Sequence, residues 1–302
     1  MNARRQSNDA PEGCILSDWI EPIRATAGKF AHDMGVLALC AVFFAGLALL
    51  VKGRAAIADA RAAAGETRVN LILALLSQLI VGPLIALFIL GLMEVFKTHG
   101  LNLAPPRLWD AIGQWPTLLL AVVAGDFIGY WRHRVQHTKW LWPAHAIHHS
   151  DTRLSWLSLE RMHPVDQLGS ALDTVLLSAL GFPFWALAGN VFVRHYYGYF
   201  IHADVPWTLG KAKLLLNSPA MHRWHHARDV DGSGYNFATV FSVFDRLFGT
   251  CHQPGPCTAP LGVREAMGKG ALGQYLHPLK AWWAAIRSPV ERPALPPDST
   301  VA

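Results

Sequence analysis

Histidines are the residues of this chain whose number and spacing could do chemistry. Fifteen occur among 302 residues, and eight of them fall into three tight clusters. The first cluster, HRVQH, places two histidines four residues apart, so both imidazoles project from one face of a helix. The second and third clusters, HAIHH and HRWHH, share one H-x-x-H-H pattern. The eight residues are His133, His137, His145, His148, His149, His222, His225 and His226.

The H-x-x-H-H pattern lets one short helix serve two neighbouring metal ions. Its outer histidines lie three or four residues apart on one face, whereas the adjacent histidine is turned by roughly 100°. Neutral imidazole binds iron, zinc, copper or nickel, so the ligand type alone does not choose the metal. Eight histidines are too many for a single four-coordinate zinc ion. The spacing therefore predicts a dinuclear metal site with coordination positions left open.

Polar residues near the clusters are predicted to support the histidines. A histidine ligand usually donates its second N–H to a carboxylate or a carbonyl oxygen. Asp126 and Tyr130 share one helical stripe with His133 and His137, and an acid inside an apolar run is a functional candidate by default. We predict supporting roles close to the reaction for Asp126, Tyr130, Asp166, Asn236 and Asp245.

Apolar segments must position these residues. Hydrophobic residues make up 52% of the chain and charged residues only 16%, which argues against an ordinary soluble protein. The uncharged run of residues 34–51 is long enough to cross a hydrocarbon core of about 30 Å as a helix. Residues 69–96 can form one tilted span that is kinked at Gly82-Pro83. A third run, residues 115–131, leads directly into the first histidine cluster.

The rest of the chain is less apolar. A fourth apolar region, residues 168–201, is interrupted by Gly181 and Pro183 and is compatible with two half-spans or with a re-entrant hairpin. The chain is polar from Lys211 onward, and its Pro-rich end is typical of a disordered tail. We expect four parts: a polar segment 1–33, N-terminal transmembrane helices 34–114, a catalytic domain 115–252 and a polar tail 253–302.

The charge distribution indicates a membrane partner rather than nucleic acid. The formal charge is +5, but the basic residues are spread along the loops and form no run interleaved with exposed aromatics. The connector of residues 52–68 carries Lys52, Arg54, Arg61 and Arg68. Under the positive-inside rule this connector is cytoplasmic. We therefore expect a multi-pass membrane protein whose active site faces the cytoplasm.

Between Asp126 and Thr250 the sequence resembles the fatty acid hydroxylase and sterol desaturase superfamily of membrane-bound di-iron enzymes. The similarity runs through DFIGYWRHRVQH, LWPAHAIHHSD, RMHPVD, NSPAMHRWHHARD and FDRLFGT, in the order of the family's histidine boxes. It implies an all-α, integral-membrane helical bundle with a cytosolic, histidine-rich cap that holds two iron ions. By motif match, the eight clustered histidines are the iron ligands.

Three further histidines are weighed beside these eight. His202 in IHAD matches a histidine that the family places before its last box, so the resemblance implies a ninth ligand. His195 lies seven residues earlier, two turns away on the same face if the segment is helical, and is a tenth candidate ligand. His163 in RMHPVD matches a recurring family histidine, for which metal ligation, a supporting role and a helix-end hydrogen bond stay open.

The resemblance also implies a reaction. The expected protein is an O2-dependent oxidoreductase that hydroxylates, or alternatively desaturates, a C–H bond of a membrane lipid, with the metal supplying the reactivity. Neither His-Pro pair continues as the His-Pro-Gly-Gly motif of a fused cytochrome b5 domain. Electrons are therefore expected from a separate donor, either a ferredoxin or a cytochrome b5 with its reductase.

Other classes of protein also place histidines near a bilayer. A membrane zinc enzyme is one alternative, although the chain has no H-E-x-x-H motif. A bis-histidine heme protein is another, but it would leave the adjacent histidine pairs unexplained. A metal-binding protein without catalysis is the third.

Overall fold

The fold is α-helical throughout the part of the chain that the computed structural model describes. These residues are 15–287 except 102, 104, 106, 229–233 and 269, with side chains from residue 28 onward. Within them no β-strand forms, and an isolated antiparallel bridge joins Ala227 to Leu261. The predicted all-α class is confirmed. The predicted Pro-rich end lies outside the described residues.

The helices follow one another with short connections. They are α1 (Ile15–Lys52), α2 (Ala55–Ala62), α3 (Ala64–Leu76), α4 (Gly82–Thr98), α5 (Arg107–Ile112), α6 (Gln114–Gln136), α7 (Trp142–His149), α8 (Pro164–Ala179), α9 (Phe184–His202), α10 (Pro219–His225), α11 (Val243–Leu247), α12 (Gly270–Tyr275) and α13 (His277–Arg287). A π-helical turn (Ser77–Val81) joins α3 to α4, and two 3-10 turns cover Trp156–Glu160 and Gly210–Leu214.

Two helical stretches of the described chain are long and apolar enough to cross a membrane. They are Gly28–Lys52 and Ala64–Thr98, and only 6% and 17% of their most apolar windows are buried in the protein. An apolar helix with so little protein contact is not the core helix of a globular fold. Helix α1 begins at Ile15, inside the polar segment predicted for residues 1–33, and continues without a break into the first apolar run.

The third and fourth apolar regions form helices with more polar character. The predicted span 115–131 lies inside α6 but is not one of the two membrane-crossing stretches in the described chain. Asp126 inside this span and Arg132 directly after it reduce the apolar content of α6. The region 168–201 forms α8 and α9, which pack against each other across a short turn. The resulting helical hairpin is compatible with both arrangements left open by the sequence.

The Gly82-Pro83 pair distorts its helix without ending it. Pro83 has no backbone N–H to donate, and the chain widens into the π turn just before it. There the N–H of Gly82 donates to the carbonyl of Ser77, five residues earlier. As a result, α3, the π turn and α4 form one continuous stretch of 35 residues.

Buried ion pairs tie α6 to α8 and α9. A Cβ at position 129 would lie 1.9 Å from the Arg194 guanidinium. Only glycine at this position of α6 therefore leaves room for the Arg194 side chain. Arg194 lies 3.3 Å from Asp173 and 3.6 Å from Asp126. The Nε of Arg132 is 3.1 Å from both carboxylate oxygens of Asp173. This network fixes the end of α6 that carries the first histidine cluster.

Candidate metal centre

Five histidines converge on one point at the end of α6. The ring nitrogens of His133, His137, His145, His149 and His225 all lie within 4.8 Å of one another. The Nε2 atom of His133 is 3.0 Å from that of His145 and 3.0 Å from that of His225. The Nε2 atom of His149 is 3.2 Å from that of His145. We call this set group 1.

Four other histidines converge beside them. His148, His202, His222 and His226 bring their ring nitrogens within 4.8 Å of one another, and we call them group 2. Three Nε2–Nε2 distances in this group are 3.0–3.2 Å. The two groups touch, because the rings of His149 and His226 stack with centroids 4.3 Å apart.

Short helices divide the histidine clusters between the two groups. In α7, His145 and His149 lie four residues apart on one face and enter group 1, whereas His148 points to group 2. In α10, His222 and His226 lie four residues apart and enter group 2, whereas His225 enters group 1. The structure thus distributes each H-x-x-H-H segment over two sites, as its spacing predicts.

Helix ends set the position of the remaining ligand candidates. His202 is the last residue of α9, and its Nδ1 donates to the Gly198 carbonyl at 2.7 Å, which fixes its ring. The start of α10 is set by Ser218, whose hydroxyl accepts from the Met221 N–H, and Pro219 occupies the first turn. These local signals hold the third cluster in one orientation.

Unshared electron pairs face each other inside group 1. The Nδ1 atoms of His133 and His225 lie 2.8 Å and 2.6 Å from the carbonyls of Phe237 and Tyr235. A carbonyl only accepts, so both Nδ1 atoms carry the proton, and in neutral rings both Nε2 atoms carry a lone pair. Two such lone pairs 3.0 Å apart repel each other. A cation between them removes this repulsion, so the arrangement fits a bound metal.

The spacing of the nitrogens indicates the coordination angle. Two imidazole nitrogens at about 2.1 Å from one ion lie about 3.0 Å apart at a right angle and about 3.4 Å apart at a tetrahedral angle. Six nitrogen pairs lie 3.0–3.2 Å apart, closer to the right angle, and the other nitrogens of each group lie within 4.8 Å. The five donors of group 1 exceed the four of tetrahedral zinc, whereas the four donors of group 2 equal that number.

Burial keeps these imidazoles uncharged. Burial, reinforced by the neighbouring histidines, places the pKa of His145, His149 and His226 well below the usual value. The same cause lowers the pKa of His225 to about 4. Metal ligation requires the neutral ring. The groups are therefore ready to bind an ion near neutral pH without losing protons.

The loop after the third cluster supplies the carbonyls that orient His133 and His225. Asp245 holds this loop, because its carboxylate accepts from the N–H groups of Phe237 and Ala238 at 2.7 Å and 3.1 Å. Asn236 adopts a left-handed backbone conformation with φ of 59° and donates to the carbonyl of Met221. The structure therefore brings both predicted residues to the centre, where they act through the backbone.

Asp166 lies beside a histidine of group 1. Its Oδ1 is 3.5 Å from the Nδ1 of His145 and accepts from Gln136 at 2.7 Å. Burial raises the pKa of Asp166 to about 7. A carboxylate at this place can accept the second N–H of His145 and fix its ring, which is the role predicted from the sequence.

Asp126 and Tyr130 are buried but do not reach the histidine nitrogens by any described hydrogen bond. Asp126 accepts from the backbone N–H groups of Thr239, Val240 and Phe241 at 2.7–3.1 Å. Tyr130 contacts the hydroxyl of Thr250 at 2.9 Å. Both side chains therefore anchor the loop region that carries the orienting carbonyls to α6.

Two predicted histidines lie outside both groups. His163 caps the start of α8, where its Nδ1 accepts from the Val165 N–H at 3.2 Å. His195 is partly exposed, with its Nε2 3.5 Å from Glu160. The structure thus places His163 in the helix-end role left open above, and it does not bring His195 to the metal centre.

A buried arginine beside the centre was not singled out by its sequence. The Arg161 side chain is fully buried and donates to Glu66 at 2.5 Å, Asn70 at 2.6 Å and Ser150 at 3.0 Å. Asp151, directly after the second cluster, lies 3.8 Å from the same guanidinium. Ser150 and Asp151 lie in the motif HHSD, and Arg161 lies in RMHPVD. The sequence signal that could have indicated them is a polar residue directly after a histidine cluster.

The domain that contains the centre can be compared with known proteins. The fatty acid hydroxylase family profile matches residues 118–250. This part of the chain is therefore similar to a fatty acid hydroxylase domain. All nine histidines of groups 1 and 2 lie within this domain, which confirms the family resemblance found from the sequence.

Curated relatives match this chain over part of their length. The ornithine lipid hydroxylase of Rhizobium tropici is 32% identical over 55% of this chain and 52% of its own length. The human alkylglycerol monooxygenase is 33% identical over 47% of this chain and 31% of its own. Methylsterol monooxygenase 2-2 of Arabidopsis thaliana is 28% identical over 52% of this chain and 59% of its own length. The chain thus matches about a third to three fifths of these relatives, and no solved structure matches it.

Removing the Asp245 carboxylate tests the role of the carbonyl loop. We expect Asp245→Ala to weaken metal binding about 10–100-fold, because His133 and His225 lose their fixed orientation. Asp245→Asn keeps one oxygen acceptor, so its metal affinity should lie between that of the unaltered protein and that of Asp245→Ala. Metal titration with a chelator competitor measures the effect, with Asp110→Ala on exposed α5 as the control. Unchanged affinity in Asp245→Ala would rule out this role.

Proposed function

We propose that this protein is an O2-dependent di-iron oxidoreductase that hydroxylates a C–H bond of a membrane lipid. The observation that carries the proposal is the pair of adjoining histidine groups, with five and four ring nitrogens within 4.8 Å. The five donors of group 1 favour iron over tetrahedral zinc. The family match supplies the reaction class.

The residues of the chain have separate tasks in this reaction. Group 1 and group 2 would each hold one iron ion, and these ions would supply the O2 chemistry when bound. The carbonyls of Tyr235 and Phe237 orient the rings of group 1, and Asp166 accepts the N–H of His145. Burial of both groups excludes water, so little solvent reaches the reacting bond.

The proposed reaction balances with an external reductant. One oxygen atom of O2 enters the C–H bond to give an alcohol, and the other leaves as water. This requires two electrons and two protons, which we assign to a separate ferredoxin or to cytochrome b5 with its reductase. Desaturation, in which a second hydrogen is lost and both oxygen atoms leave as water, remains the alternative outcome of the same chemistry.

A lipid substrate is supported by the relatives and by the apolar helices. The relatives named above are called a lipid hydroxylase, an alkylglycerol monooxygenase and a methylsterol monooxygenase. The stretches Gly28–Lys52 and Ala64–Thr98 expose apolar faces that suit a bilayer. A protein inserted in this way takes its substrate from the membrane in which it lies.

We place the metal centre on the cytoplasmic side of a multi-pass protein. The basic connector 52–68 lies against the centre, because Lys52 pairs with Asp204, two residues after His202. Glu66, which lies in the same connector and in the first turn of α3, pairs with Arg161 at 2.5 Å. The connector and the centre therefore share one side of the membrane, and the positive-inside rule makes that side cytoplasmic.

Metal analysis and labelled oxygen test the proposal together. Purified protein is expected to contain close to two irons per chain, to show no heme Soret band and to transfer one 18O atom from 18O2 to a lipid. Comparison of lipids from cells with and without the gene should show a product that is heavier by one oxygen. Activity that persists in iron-free, zinc-loaded protein would exclude the oxygenase and favour a zinc enzyme.

A further inference from the structure

Two neighbouring cavities share a wall formed by His195 and Tyr196. One is an apolar cleft of about 450 Å³ that runs along α9 past Phe184, Leu187 and Phe192. The other, which we call the polar pocket, has a volume of about 270 Å³ and lies between α1, the π turn, the first 3-10 turn and α9. Neither cavity is lined by a histidine of group 1 or group 2.

The polar pocket carries one carboxylate that pairs with no lysine or arginine among the described residues. Glu160 is only 12% exposed at its side chain, accepts from the Tyr199 hydroxyl at 2.5 Å and lies 3.5 Å from the Nε2 of His195. Lys29 pairs with Asp33 at 2.5 Å, so their charges cancel. Among the described residues, no lysine or arginine lies within 4.0 Å of the Glu160 carboxylate, so this little-exposed acid is open to a cationic ligand.

Aromatic rings surround this carboxylate. The ring centroids of His195 and Tyr199 are 4.6 Å apart, and those of Tyr196 and Tyr199 are 5.9 Å apart. Aromatic faces attract ammonium groups through their quadrupole. A carboxylate with tyrosine neighbours therefore favours a cationic amine over a phosphate, a carboxylate or a neutral hydroxyl group.

The order of residues along α9 orients anything that occupies both cavities. His195, Tyr199 and His202 lie on one stripe of the helix, and Tyr199 is about one turn, roughly 5 Å, from the level of His202 in group 2. The apolar cleft lies on the other side of His195, along residues 184–192. Along α9 the polar pocket therefore lies between the apolar cleft and the end of the helix that carries His202.

We infer that the two cavities together bind one amphiphile, with an ammonium headgroup beside Glu160 and its apolar tail in the cleft. This inference rests on the proposed function and narrows its substrate class to lipids that carry an amino group.

Photo-crosslinking tests the site without relying on turnover. The probe is a hexadecylamine that carries a diazirine next to the amine, added to the full-length protein in neutral detergent. Hexadecyltrimethylammonium, hexadecyl phosphate and hexadecanol serve as competitors with equal tails. We expect labelled peptides from α1, the Trp156–Glu160 turn and α9, and at least about tenfold stronger competition by the cation than by the other two.

Substitutions of Glu160 decide the role of its charge. Glu160→Gln should remove the preference for the cation, and Glu160→Asp should retain most of it. Glu94→Gln, an exposed acid on α4, is the matched control and should behave as the unaltered protein. Labelling elsewhere, or equal competition by all three amphiphiles, would overturn the inference. Iron content is measured on the same samples, so a protein with the cation preference but without iron would refute the proposed function and leave the site intact.

Discussion

Replacing His222 with alanine is expected to leave the protein with one bound metal ion instead of two and to lower activity by more than about 100-fold. Group 2 has four histidines in the described chain, so this change leaves three nitrogens for its ion. Loss of a residue that only orients a ligand already costs about 10–100-fold in metal affinity or activity, and loss of a ligand should cost more. Metal analysis and turnover on the same sample measure both effects.

A second substitution in the other group makes the comparison sharper. Group 1 has five nitrogens, and neither ring nitrogen of His137 has a hydrogen-bond partner. His137→Ala should therefore retain more metal than His222→Ala, because four donors remain. His99→Ala, at an exposed position after α4, should keep both ions. Equal loss of both ions in the two group variants would show that the groups do not bind independently.

The eight clustered histidines could be predicted because side-chain type and helical spacing are both written in the sequence. Residues four apart share a helical face, which is why His145 and His149 meet in group 1 and His222 and His226 meet in group 2. The resemblance added His202, which no local spacing relates to the clusters. His195 followed from the same spacing rule, but the face of α9 that carries it meets Glu160 well before the helix reaches the centre.

The atoms that orient the histidines could not be predicted in the same way. The acceptors for His133 and His225 are backbone carbonyls, and every residue has one. Their position depends on the left-handed backbone of Asn236 and on the pairing of Asp245 with a loop that begins eight residues earlier. The membrane spans illustrate a second limit, because the apolar run 115–131 forms a helix whose polar face packs against α8 and α9.

Replacing Arg161 with methionine is expected to destabilise the protein by about 3–5 kcal/mol, because removal of one partner of a buried ion pair leaves the others without compensation. Arg161 is fully buried, and its guanidinium joins Glu66 of α3 to Ser150 at the end of the second histidine cluster. Asp151 is also fully buried, and it accepts from Asn70 at 2.9 Å and Ser158 at 2.6 Å.

Arg153→Ala is the matched control, because Arg153 is exposed and only its backbone N–H bonds to Asp151. Its effect should stay within about 0.5 kcal/mol. Reversible unfolding by sodium dodecyl sulfate in mixed micelles, followed by tryptophan fluorescence, measures both free energies of unfolding. A loss below about 1 kcal/mol in Arg161→Met would mean that Asn70 and Ser158 suffice to hold Asp151.

The same substitution should also weaken metal binding, because the cluster around Arg161 fixes the chain directly after His148 and His149. Helix α7 supplies one ligand candidate to group 2 and two to group 1, so loosening its end disturbs both groups at once. Excess metal should recover part of the lost stability, since an ion that binds only the folded state favours folding. This recovery would separate the arginine from a metal ligand, whose loss added metal restores poorly because the donor atom itself is missing.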